Sequence, residues 1–143
     1  MKTSLYQNHN YEQLNDWNKL NFTHPKLGKI VGKIFLRENL GLSGMEVSLN
    51  SLPEGVSVPF SHAHKQNEEL YLFLSGAGEM LIEGEKVKVQ SGSAIRVAPQ
   101  AFRTLRALNQ GALNFIVVQV KEHSLEQATL DDGVMANEAP VWK

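Results

Sequence analysis

Gly55-Val56-Ser57-Val58-Pro59-Phe60-Ser61-His62-Ala63-His64-Lys65-Gln66-Asn67-Glu68-Glu69-Leu70-Tyr71-Leu72-Phe73-Leu74-Ser75-Gly76 is the stretch on which the fold turns. Its second half is an apolar run rich in Leu and aromatics, closed by glycine, as expected of a strand. If His62 and His64 lie in extended chain, their i, i+2 spacing sends both imidazoles to one face. Glu69, at the start of the next strand, can return a carboxylate to the same place. Two histidines and one carboxylate on one side of an ion form the facial triad of non-haem iron sites. By itself a His-x-His pair is equally compatible with surface or capping histidines.

Outward from this stretch, short apolar runs are punctuated by Gly, Pro, Asn and Ser. Segments 30–37, 42–51, 69–75, 78–83, 86–90, 94–97, 102–107 and 113–120 are expected to be strands. Glu83-Gly84-Glu85 is expected to be a tight hairpin turn. In Lys86-Val87-Lys88-Val89-Gln90 the clean alternation turns the valines to a core and the lysines to water. Strands at this spacing without convincing helices indicate an all-β antiparallel sandwich or barrel. Residues 1–29 form an N-terminal arm, in which Asn10 and Gln13 are placed to cap a short helix carrying Tyr11, Leu14, Trp17 and Leu20. The barrel spans residues 30–123. In the tail, residues 124–143, Val134, Met135, Val141 and Trp142 are expected to pack on the barrel or on a partner subunit.

The 143 residues suit one domain, and 42% apolar with 20% charged residues is ordinary for a folded protein. Lys and Arg total 14 against 15 Asp and Glu, a formal charge of −1, which gives no support to nucleic-acid binding. Without cysteine, any metal must use His, carboxylate or amide ligands. Met1 to Asn10 lack the apolar stretch of a secretory signal, and Phe115 to Val118, the longest apolar run, is too short to span a bilayer. A cytoplasmic protein with no membrane partner is expected.

The central stretch resembles the first motif of the cupins, a glycine, a His-x-His pair, a glutamate and a closing glycine. His64, Glu69 and Gly76 keep the motif's spacing, while Gly55 stands one residue further from His62 than usual. Glu68 fits a shorter spacing from the histidines, but only Glu69 fits the distance to Gly76. The second motif is represented by Gly92, with Ala98 at its proline position, Gln100 at its glycine position and Pro99 between them. Arg103 stands where the family places its third metal-binding histidine. The resemblance spans roughly Ile30 to Val120. It implies a double-stranded β-helix (jelly-roll) barrel, a divalent transition metal (iron, manganese, nickel or zinc) on His62, His64 and Glu69, a small-molecule ligand or substrate, and a homodimer.

Arg103 leaves two arrangements open. Guanidinium stays protonated and offers no lone pair, so it cannot be a ligand. Like charges about 4 Å apart at an effective dielectric near 20 cost about 4 kcal/mol, roughly doubled for a divalent ion. Either Arg103 turns aside, leaves the metal to three ligands and grips an acidic group of the substrate, or it pairs with Glu69 in place of the ion. The first arrangement suits an oxygenase or isomerase, the second a metal-free module binding a sugar or organic acid. Tyr71 and Phe73 share the Glu69 face and are expected beside the site. Gln119 is expected to face water, and Arg96 and Arg106 to be solvated strand residues.

Overall fold

The computed structural model describes residues 5–127 and 129–142. After a 3₁₀ turn at Leu14–Lys19 come β1 (Asn21–His24), β2 (Gly28–Val31), β3 (Lys33–Phe35), the one-turn helix α1 (Arg37–Leu40) and β4 (Glu46–Leu52). Next are β5 (Asn67–Ser75), β6 (Ala77–Ile82), β7 (Glu85–Gln90), β8 (Ala94–Val97), β9 (Arg103–Ala107) and β10 (Leu113–Lys121), followed by a single turn, α2 (Thr129–Asp132). All pairings between these strands are antiparallel. A five-stranded sheet in the order β3-β4-β10-β5-β8 faces a three-stranded sheet in the order β7-β6-β9, while β1 and β2 form a separate ribbon. The architecture is a jelly-roll sandwich, and its hydrogen bonding does not close into a continuous barrel.

The core follows from period-two alternation. Glu69, Tyr71 and Phe73 are buried along β5, and Phe115 and Val117 lie opposite Phe73 and Tyr71 on β10. Met80, Val89, Val97 and Leu113 complete this cluster between the sheets. The rings of Tyr71, Phe73 and Phe115 have centroids 5.3 to 6.4 Å apart, the range in which aromatic pairs add about 0.5–1.5 kcal/mol each beyond area burial. The β6–β7 connection is the expected two-residue hairpin. Ile82 pairs with Glu85, and Glu83 (φ 48°) and Gly84 (φ 79°) are both left-handed, as a type I′ turn requires.

A second cluster lies outside the five-stranded sheet. Trp17, Leu20 and Leu49 are buried there, with Tyr11, Leu14, Ile34, Leu36 and Ile116 against them. The N-terminal arm therefore covers its own sheet, and β4 and β10 are buried on both faces. This explains why Phe115 to Val118 is an unbroken apolar run. The turn begins at Leu14 after Gln13, without a side-chain cap, so the Asn10–Gln13 box does not form. Trp17 Nε1 instead donates to the Glu12 carbonyl at 3.0 Å. The continuous strand expected over 30–37 is broken at Gly32, and the strand expected to start at Leu42 begins at Glu46, after α1. Val134, Met135, Val141 and Trp142 are all at least 80% exposed, so these four side chains do not pack on the sandwich.

Gly32 makes the break possible. At φ 84° its N–H donates to Leu20 O (2.6 Å) and its carbonyl accepts from Ser51 N (2.7 Å), and an added Cβ would lie 2.5 Å from Ser51 O. Gly32→Ala is expected to destabilise the fold by about 2 kcal/mol or more in urea unfolding. Gly84→Asn, left-handed but with open space around it, is expected to stay within about 0.5 kcal/mol of the parent.

Candidate functional site

Between the sheets lies a cavity of about 400 Å³ with the His-x-His segment on its wall. Each candidate side chain is placed by backbone pairing. His62 and Arg103 exchange two main-chain hydrogen bonds, 3.1 and 2.9 Å, so His62 extends the small sheet beyond β9. The His64 N–H donates to Pro99 O at 2.8 Å. Glu69 enters from β5 on the opposite sheet, beside Val97 of β8 and Gln119 of β10.

Candidate ligand atoms of His62, His64 and Glu69 all lie within 4.8 Å of one another, so the three residues could hold one ion. His62 Nε2 is 3.8 Å from Glu69 Oε1, and His64 Nε2 is 3.2 Å from Oε2. Nε2 of His64 is nevertheless buried without a hydrogen-bond partner. A ring nitrogen left unpaired beside a carboxylate is costly for a closed structure and is what a metal ligand presents before loading. The donor set, two imidazoles and a carboxylate, suits a divalent transition metal.

Tyr71 donates its hydroxyl to Glu69 Oε1 at 2.8 Å, and thus orients the carboxylate. Arg103 is fully buried. Its Nε lies 3.7 Å from Glu69 Oε1, and one terminal nitrogen donates to Ala98 O at 2.8 Å. Nε and Nη1 find no hydrogen-bond partner among the described residues. The guanidinium is thus drawn partly toward the main chain of the preceding loop, close enough to Glu69 for attraction but not for a hydrogen bond. Burial pushes the Glu69 carboxyl upward, but the His62 imidazole, the Tyr71 hydroxyl and the charges of His64 and Arg103 outweigh it and hold the group at about 2. Burial, and then the negative charge of Glu69, push the Tyr71 phenol well above its ordinary value, so it stays a donor.

The structure brings together all five residues singled out in the sequence: His62, His64, Glu69, Tyr71 and Arg103. Gln119 was expected outside. The β10–β5 register places it opposite Glu69, two residues from inward Val117, and it lines the cavity while accepting a hydrogen bond from Asn67 (2.9 Å). Arg96 pairs with Glu68 and Glu122, and Arg106 with Glu79, on exposed surfaces away from the cavity lining. Sequence reasoning missed Lys33 and Asn50, which line the cavity from β3 and β4. The available signal was the alternation of Ser48 and Asn50 with Val47 and Leu49, but the polar row faces inward here because the arm covers the apolar one.

The comparisons with known proteins agree with this geometry. Residues 49–119 match the family model described as cupin domain. A crystal structure of a cupin protein from Bacteroides fragilis is 38% identical, with 94% of this chain and 99% of that chain covered and a TM-score of 0.78. The chain is a cupin. More distant cupin-like structures share the fold alone. A predicted oxalate decarboxylase from Thermotoga maritima is 18% identical over 76% of this chain and 96% of that chain, TM-score 0.59. A putative sugar phosphate isomerase from Acidithiobacillus ferrooxidans is 21% identical over 62% and 58%, TM-score 0.56. No curated protein sequence matches this cupin.

Because the Glu69 pKa is depressed by folding, its contribution to stability is present above the ordinary value of 4.5 and is lost as pH falls toward 2. A shift of this size corresponds to about 3 kcal/mol. In metal-free protein, stability measured by urea unfolding is expected to drop steeply between pH 4.5 and 2. In Glu69→Gln it is expected to be lower at pH 7 and nearly flat over that window.

Proposed function

We propose that this cupin binds one divalent transition metal through His62, His64 and Glu69 and acts on a small molecule held in the adjoining cavity, as an oxygenase or isomerase. The observation that carries the proposal is the buried Nε2 of His64, which makes no hydrogen bond yet stands 3.2 Å from the Glu69 carboxylate with His62 beside it. Bound iron, manganese, nickel or zinc would supply Lewis acidity or, for the redox-active metals, electron transfer. The chain's own residues do the rest. Tyr71 fixes the carboxylate through its hydroxyl, and Arg103 keeps Glu69 ionised and offers its free N–H groups to an acidic or carbonyl oxygen of the substrate.

One observation favours a second reading. Arg103 Nε already stands 3.7 Å from Glu69 Oε1, the beginning of a pair that would replace the ion and leave a metal-free binding module. Elemental analysis of untagged protein decides between the two. About one transition metal per chain, lost in His64→Ala, is expected. No metal after incubation with iron, manganese, nickel and zinc in turn refutes the metal site in favour of the Arg103–Glu69 module.

The proposal extends to a cytoplasmic homodimer, supported by the exposed Val134, Met135, Val141 and Trp142 of the tail, which need an apolar partner. No helix among the described residues is long and apolar enough to cross a membrane. Sedimentation velocity is expected to give twice the 15.9 kDa chain mass, and a monomer would overturn the dimer.

A further inference from the structure

Lys33 occupies a different wall of the cavity from the histidines. On β3, Lys33 and Phe35 project to one face, and the ammonium sits 5.0 Å from the Phe35 ring centre. Its Nζ donates to Asn50 Oδ1 at 2.9 Å. Asn50 is itself fixed, with Nδ2 donating to Ser48 Oγ (3.0 Å), Ser48 O (3.1 Å) and Phe115 O (3.3 Å), so its oxygen is held toward Lys33. An ammonium carries three donors, and Asn50 takes one.

The charge inventory of the cavity is uneven. Lys33 and Arg103 line it against a single carboxylate, Glu69, which is already engaged by Tyr71 and Arg103 and flanked by the histidines. Lys33 makes no ion pair among the described residues. Burial disfavours its charge, and the fields of Glu69 and Glu46 only partly restore it. A lysine kept in such a place, oriented by a buried amide and stacked on an aromatic ring, is a cation waiting for an external anion. Elsewhere Ser51, Thr104 and Gln119 interrupt a mostly apolar wall of Val58, Leu105 and Val117, and Val31 and Phe60, each 62% exposed, stand where the cavity meets solvent.

We propose that Lys33 is the specificity-determining residue of the cavity and selects a small monocarboxylic acid with an apolar body. The two Lys33 N–H donors that Asn50 does not take meet the carboxylate, while the body lies along Val58, Leu105 and Phe60. This rests on the reading of the cavity as the ligand site. It assigns the ligand's class and the residue that recognises it.

The test is calorimetric titration of the full chain with 3-phenylpropionate and with its neutral amide, at pH 7.5 and constant salt. Wild type is expected to bind the acid at least tenfold more tightly than the amide. Lys33→Gln is expected to weaken the acid at least tenfold and leave the amide within twofold, and Lys33→Arg is expected to restore most of the preference. Lys33→Met, which keeps the stem over Phe35, repeats the measurement should the glutamine variant unfold. Absence of acid binding by wild type, or an acid preference that survives in both Lys33→Gln and Lys33→Met, overturns the proposal. Metal content of the same preparations reports separately on the histidine site. Full metal with no acid preference refutes the Lys33 assignment alone, and acid preference without metal refutes the metal site alone.

Discussion

A guanidinium with no solvent exposure needs a carboxylate nearby, and the interior of this cupin is arranged around that need. Arg103 finds Glu69 at 3.7 Å and the Ala98 carbonyl at 2.8 Å. Isolated in an apolar interior, either charge would cost several kcal/mol, so each requires the other. Glu69 also receives the Tyr71 hydroxyl and lies against both histidines. One carboxylate therefore links Tyr71, Arg103 and the two histidines at a single point. It can serve so many partners because β5 delivers it to the seam between the sheets, where β9 and the His-x-His segment approach from the other side.

Most of this could be read from residue order, because period two governs it. Alternation along β5 placed Glu69, Tyr71 and Phe73 on one face before any pairing was known, and the same spacing placed His62 beside His64. From β5 to β10 the strands emerge close to where the punctuation puts them, with a tight turn at Glu83–Gly84, whereas the strands expected over 30–37 and from Leu42 do not. The inward turn of Ser48, Asn50 and Lys33 has one physical cause, the N-terminal arm. By covering the outer face of the large sheet it buries Leu49 and Ile116 there rather than between the sheets. The polar residues Ser48 and Asn50 then turn inward, and with them the register that carries Lys33 and Gln119 into the cavity. A one-face rule cannot reveal a sheet covered on both faces. Nor does it reveal the break at Gly32, which comes from the close approach of a second strand rather than from local preference.

The arrangement has two separable polar centres on one apolar cavity. At one, the histidines and Glu69 surround space suited to a cation. At the other, Lys33 is presented by Asn50 and Ser48 and has no ion-pair partner among the described residues. A ligand that reached both would be fixed at two points with its body against aliphatic and aromatic side chains. Such cavities gain specificity from a few placed polar groups and affinity from the apolar remainder.

The substitution of arginine for the family's third histidine is easier to understand once the backbone is considered. Residue 103 does two jobs that do not depend on its side chain, since its N–H and C=O hold His62 in the small sheet. Any residue compatible with a strand keeps that pairing and so keeps His62 facing Glu69. The side chain must then fill a site with no access to water. Arginine does so by extending to the Ala98 carbonyl, which draws part of its charge away from the histidines. The same reach leaves two guanidinium nitrogens, Nε and Nη1, without hydrogen-bond partners among the described residues. Arg103 therefore keeps the backbone that positions His62 opposite Glu69 and adds a side-chain donor that prefers anions to metal.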